Sequence, residues 1–123
     1  TETTETRRLK RWAEIDTRPD QPKFRRAIAE RDGLKCAITG CSVPEVLDAA
    51  HLQGRAKEGS DDPSNGVILR TDIHRLLDAG LLTIDPATRR IEIARDIAEA
   101  NYRELDGTLL NSKADLSHIL VSA

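Results

Sequence analysis

The chain has 123 residues, 33% of them charged and 38% hydrophobic, with a formal net charge of −2, which supplies one small core and one domain at most and argues against a protein that coats nucleic acid by bulk electrostatics. No apolar run approaches the roughly 18 residues of a membrane-spanning helix, and TETTETRRLKRW at the N-terminus lacks the hydrophobic segment of a signal peptide. With a mean hydropathy of −0.49, these features speak against both a membrane and a secreted protein and point to the cytoplasm. Two cysteines in such a chain belong to a reducing compartment, where a thiol pair is structural or metal-binding rather than disulfide-bonded. The chain starts at Thr1 and has no methionine, which predicts a piece cut from a longer polypeptide. Its charge is uneven: residues 1 to 35 hold ten Lys/Arg against seven Asp/Glu, net +3, and the remainder is net −5. From charge alone, the basic third reads as a solvated helix face.

In chain order, Leu9, Trp12 and Ile15 are spaced by three and predict a short amphipathic helix. A second helix is expected from Asp20 to Asp32, with a capping candidate and Pro22 at its start, Phe24, Ala27, Ile28 and Arg31 at helical spacing, and Gly33 ending it. Cys36 to Gly40 reads as a short strand or knuckle, residues 46 to 52 (VLDAAHL) as a strand, and residues 53 to 65 as a polar surface loop. GVILR at 66 to 70 is a buried strand, after which Thr71 or Asp72 is expected to cap a helix that stops at Gly80. LLTID and RRIEIA flank a Pro-containing turn and predict a hairpin. Residues 95 to 104 read as helical, LDGTLL as a turn, and residues 115 to 121 as a last helical turn.

Three residues stand out by order and context: His51 at the end of a strand, Asn65 at the end of the loop and His74 in the helix that follows. Two histidines by themselves are more often structural than catalytic. Their surroundings, CAITGCSVPEVLDAAHL and then DDPSNGVILRTDIHRLLDAGLLTID, resemble the HNH nuclease family over residues 36 to 85, and DQPKFRRAIAERDGLKCAITG resembles the segment that often precedes it. The resemblance implies an α+β domain built on a ββα-metal core at about residues 36 to 80: a two-stranded ribbon, then a helix, with one divalent ion between them. Helices precede this core, and a hairpin and helix follow it. Residues 1 to 19 are then an N-terminal helical extension and 20 to 123 the nuclease domain. The strand, loop, strand and helix read from the residues give the same order.

The resemblance also implies roles. His51 is the general base that takes a proton from the attacking water, since an imidazole of unperturbed pKa about 6.5 is neutral and competent near pH 7. Asn65 ties the loop to the ribbon and orients the base. His74 gives a nitrogen to the metal, with Asp78 at i+4 on the same helix face. The ion is Mg2+ or Mn2+, with Ni2+ and Zn2+ as further options. Many family members have Asp or His immediately before the catalytic histidine, where this chain has Ala50. Asp48 is the remaining carboxylate, but in a regular strand residues 48 and 51 point to opposite faces. Asp48 therefore reaches the ion through a bulge or bend, or else it pairs locally. Asp78 has the alternative of bonding to Arg75.

Arg55, Lys57, Arg70 and Arg75 are candidates for phosphate contacts, with ordinary surface charge as their bland reading. Cys36 and Cys41 form C-x4-C without a second pair, so they read as packing residues, zinc being the minor alternative. Trp12, Phe24 and Tyr102 are too sparse for a base-stacking platform and are assigned to the core; His118 is given no role. The function implied is a metal-dependent DNA endonuclease, in the subgroup found near the C-terminus of modification-dependent restriction enzymes. Its partners are DNA, an N-terminal recognition domain outside this chain and a possible second copy, with no membrane. The alternative is a non-catalytic DNA-binding or interaction module on the same scaffold.

Overall fold

A computed structural model describes residues 3–15, 22–52 and 62–117. Arg55, Lys57, His118, the Asp20 cap and most of the 53 to 65 loop lie outside the described residues. No helix among the described residues is long and apolar enough to cross a membrane.

Helix α1 (Thr4–Glu14) begins where the Thr3 hydroxyl accepts the Thr6 N–H at 3.0 Å, and it buries Trp12. Helix α2 (Pro22–Asp32) buries Phe24, Arg25, Ile28 and Ala29. It ends at Gly33, whose φ of +85° is the left-handed conformation that a helix terminus commonly takes and that glycine adopts without a Cβ clash. Cys36 to Gly40 is a knuckle and not a strand: the Cys36 N–H donates to the Cys41 carbonyl at 2.7 Å and the Gly40 N–H to the Cys36 carbonyl at 2.9 Å. Cys36 is buried and Cys41 half-buried, both as free thiols.

A single 3-10 turn, Pro44–Val46, leads into strand β1 (Leu47–His51), and a second, Pro63–Asn65, into strand β2 (Gly66–Arg70). The two strands pair antiparallel without a break in register, from Leu47 opposite Arg70 to His51 opposite Gly66. Alternation puts Asp48, Ala50, Val67 and Leu69 on one face of this ribbon and Leu47, Ala49, His51, Gly66 and Ile68 on the other. Helix α3 (Thr71–Asp78) and helix α2 both pack against the ribbon. Val67, Ile68 and Leu69 are therefore fully buried, as a near-continuous apolar strand should be when both faces are covered.

Strands β3 (Leu82–Ile84) and β4 (Ile91–Ile93) form the expected hairpin. The mixed α+β order matches the fold class expected from the sequence. Three local expectations are corrected. Neither Thr71 nor Asp72 caps α3: Arg70 occupies the cap position without a side-chain capping bond, and the Asp72 carboxylate is taken by Arg70 and Tyr102. The helix expected over 95 to 104 is only α4 (Ala100–Arg103). There the Arg103 guanidinium donates to the carbonyls of Ala94 at 2.7 Å and Ile97 at 3.3 Å, acceptors that a longer helix would have used internally. At 115 to 117 the Asp115 carboxylate accepts the Ser117 N–H at 2.9 Å, a local turn that replaces the start of the expected last helix.

Candidate functional site

The ribbon and α3 bring three of the expected residues together. Helix α3 places His74 and Asp78 one turn apart, and the two meet with 3.4 Å between His74 Nε2 and Asp78 Oδ2. On the facing strand, Asp48 Oδ2 lies 2.9 Å from His74 Nδ1. No bulge is needed for this. β1 is regular, and α3 covers the face to which Asp48 already points. Asp78 pairs with His74 and makes no bond to Arg75 among the described residues.

The two carboxylates approach opposite nitrogens of one imidazole, so the three side chains do not converge on one point. Among the described residues no group of three or more His, Cys, Asp or Glu side chains is arranged to hold a metal ion. The donor chemistry nonetheless fits a divalent cation held by two protein ligands. Two ligand atoms bound at about 2.1 Å to one ion stand about 3.0 to 3.4 Å apart in octahedral to tetrahedral geometry, the separation found between His74 Nε2 and Asp78 Oδ2. Asp48 at Nδ1 then has the geometry of the carboxylate that fixes the tautomer and ring orientation of a metal-binding histidine.

His51 is elsewhere. It is the last residue of β1, on the opposite face from Asp48, and its ring stacks on Phe24 of α2 with centroids 4.4 Å apart and planes 8° from parallel. The three residue steps from Asp48 to His51 amount to about 10 Å of ribbon. Asn65 is buried at the end of the 3-10 turn, and its carbonyl accepts the Leu52 N–H at 2.8 Å, which closes the ribbon just beyond His51. The base candidate therefore lies on the α2 side of the ribbon, where α2 also packs against the turn that carries Asn65, while the metal-ligand candidates occupy the α3 side.

Of the cation candidates, Arg75 is exposed on α3. Arg70 is held by Asp72, with Nε 2.7 Å from Oδ1 and Nη2 3.0 Å from Oδ2. Arg70, with Tyr102 donating to Oδ2 at 2.7 Å, holds the Asp72 carboxyl down to about 2, and the same carboxylate holds Arg70 above its ordinary range. The sequence reading missed Arg31. Its guanidinium donates to the Pro63 and Gly66 carbonyls, both at 2.7 Å, and so brackets Asn65. The available signal was Phe24, Ile28 and Arg31 at i, i+4 and i+7, one face of α2.

Residues 36–85 match the HNH endonuclease family model. The match spans the knuckle, both ribbon strands, α3 and the start of the hairpin, and it includes His51, Asn65 and His74. It points to nuclease chemistry on nucleic acid for this segment. No curated protein matches the chain.

Proposed function

We propose that the domain is a metal-dependent endonuclease that hydrolyses DNA phosphodiester bonds, the cleavage module of a restriction or defence enzyme whose target recognition lies in another domain. The observation that carries this reading is the His74–Asp78 pair, 3.4 Å apart on the helix of the family-matched segment and braced by Asp48 from the ribbon. His74 Nε2 and Asp78 would hold the ion, and Asp48 would fix the His74 ring. A bound Mg2+ or Mn2+ would supply positive charge for the phosphorane-like transition state and the leaving oxygen. His51, at the ribbon's end, would accept the proton of the attacking water. Asn65 would keep the loop closed over that end, and exposed Arg75 would meet a backbone phosphate. Arg70 would do so only by giving up Asp72.

A second reading, a non-catalytic nucleic-acid-binding or interaction module, is favoured by one observation: His51 faces Phe24 while the metal-ligand candidates face α3. Plasmid cleavage with Mg2+, Mn2+ or Ni2+, beside His51→Ala and a chelator control, separates the two. Metal-dependent cutting abolished by His51→Ala is expected. Intact plasmid under every ion, from folded protein that still binds DNA, would favour the binding module.

A further inference from the structure

We propose that α2, which precedes the family-matched segment, is the positioning element for the base: its Phe24–Ile28–Arg31 face sets the His51 ring and the Asn65 turn. The assignment rests on the nuclease reading for its catalytic consequence, but its geometry stands apart from it. Three contacts carry it, all from one helical stripe. Phe24 lies flat against the His51 imidazole at 4.4 Å, which restricts the ring to one plane. Phe24 and Ile28 close over Gly66, the cross-strand partner of His51, so tightly that a Cβ there would collide with both side chains. Arg31 donates to the carbonyls on either side of Asn65, those of Pro63 and Gly66. Arg31 is itself fixed by Asp32 through Nε to Oδ1 at 2.9 Å and Nη2 to Oδ2 at 2.7 Å. Asp32 in turn accepts the Lys113 N–H at 3.1 Å and the Ser112 hydroxyl. A planar guanidinium reaching two carbonyls while its other edge is held by a carboxylate is a fork that lysine cannot reproduce.

The metal-ligand candidates lie across the ribbon from this stripe, which makes the role separable from a general loss of fold. The test uses Phe24→Leu, Arg31→Lys and Arg31→Gln in the full chain, each checked for native circular dichroism. Three readouts are taken: His51 ring-proton chemical shifts, Mn2+ affinity by calorimetry, and plasmid-cleavage kcat and KM. In Phe24→Leu the His51 ring protons are expected to move downfield as the aromatic ring current is lost. In the Arg31 variants kcat is expected to fall by about 100-fold, the cost of a small misplacement of a reacting group, with KM and Mn2+ affinity unchanged and Arg31→Lys giving little rescue. Unmoved His51 shifts in Phe24→Leu, or a kcat within about twofold of wild type in folded Arg31→Gln, would overturn the proposal. So would a parallel loss of Mn2+ affinity, which would mark a general structural role. If the wild-type chain cuts nothing with any ion while Phe24→Leu still moves the His51 resonances, the nuclease reading falls and the positioning of His51 by α2 is supported.

Discussion

At the scale of single residues, arginine is the joining material of this domain. Arg31, Arg89, Arg90 and Arg103 direct guanidinium groups to the main-chain carbonyls of Pro63, Ser112, Gly107 and Ala94, and Arg25 donates to the Trp12 carbonyl at 3.0 Å. A sequence reading counts each as a surface cation, because composition does not reveal which carbonyls irregular segments leave unpaired. Arg70 shows the consequence, since its charge is matched by Asp72. That pair makes a pH prediction. The Asp72 carboxyl falls from 3.8 to about 2 on folding, chiefly through its bond to Arg70. A depressed folded value stabilises the protein fully above pH ~4 and is lost as the pH falls through about 2. Asp72 is 37% exposed, so screening limits the contribution to at most about 1 kcal/mol. Urea unfolding at pH 7 and pH 2.5 should show Asp72→Asn weaker than wild type at the higher pH, with the deficit clearly reduced at the lower. An equal deficit at both would refute the assignment.

The elements were the most legible part of the sequence, and the reasons are physical. GVILR forms a strand buried on both faces because α2 and α3 cover it, and the i, i+4 spacing of His74 and Asp78 fixes their shared helix face before any tertiary contact forms. The pairing of Asp48 with His74 was not legible, because it depends on which face of the ribbon α3 covers. Nor was the stacking of His51, which depends on where α2 lands. Gly66 records that landing, since Phe24 and Ile28 occupy the space a side chain would need. Gly66→Ala should cost about 1 to 3 kcal/mol through overpacking, with the His51 resonances displaced as α2 shifts outward. Denaturant midpoints and the same histidine spectra check it, and unchanged stability would mean that the helix yields freely. A companion test belongs to α3: Asp78→Asn should weaken Mn2+ binding by roughly 10-fold or more while leaving the fold intact, read by calorimetry.

At the scale of the molecule, the two separate two-stranded sheets found among the described residues cannot make a core alone, and the N-terminal helix completes it. Trp12 is 1% exposed, donates from Nε1 to the Leu47 carbonyl at 2.9 Å and lies beneath Arg25 at 3.9 Å. It thus couples α1 to the start of β1 and to α2. Trp12→Ala should cost about 3 to 5 kcal/mol, a large share of the stability of so small a domain. Thermal unfolding by circular dichroism reads this, and a near-native transition would show α1 to be dispensable. Most of the element order, the α+β class and the family-matched segment with its His51, Asn65 and His74 could be read along the chain, because periodicity, turn chemistry and motif spacing are local properties. The meeting of Asp48 with His74 without a bulge, the stacking of His51 on Phe24 and the bracketing of Asn65 by Arg31 emerge from the folded chain alone. Each of those contacts is set by how helices dock on the two faces of one ribbon, a relation that no local stretch of sequence contains.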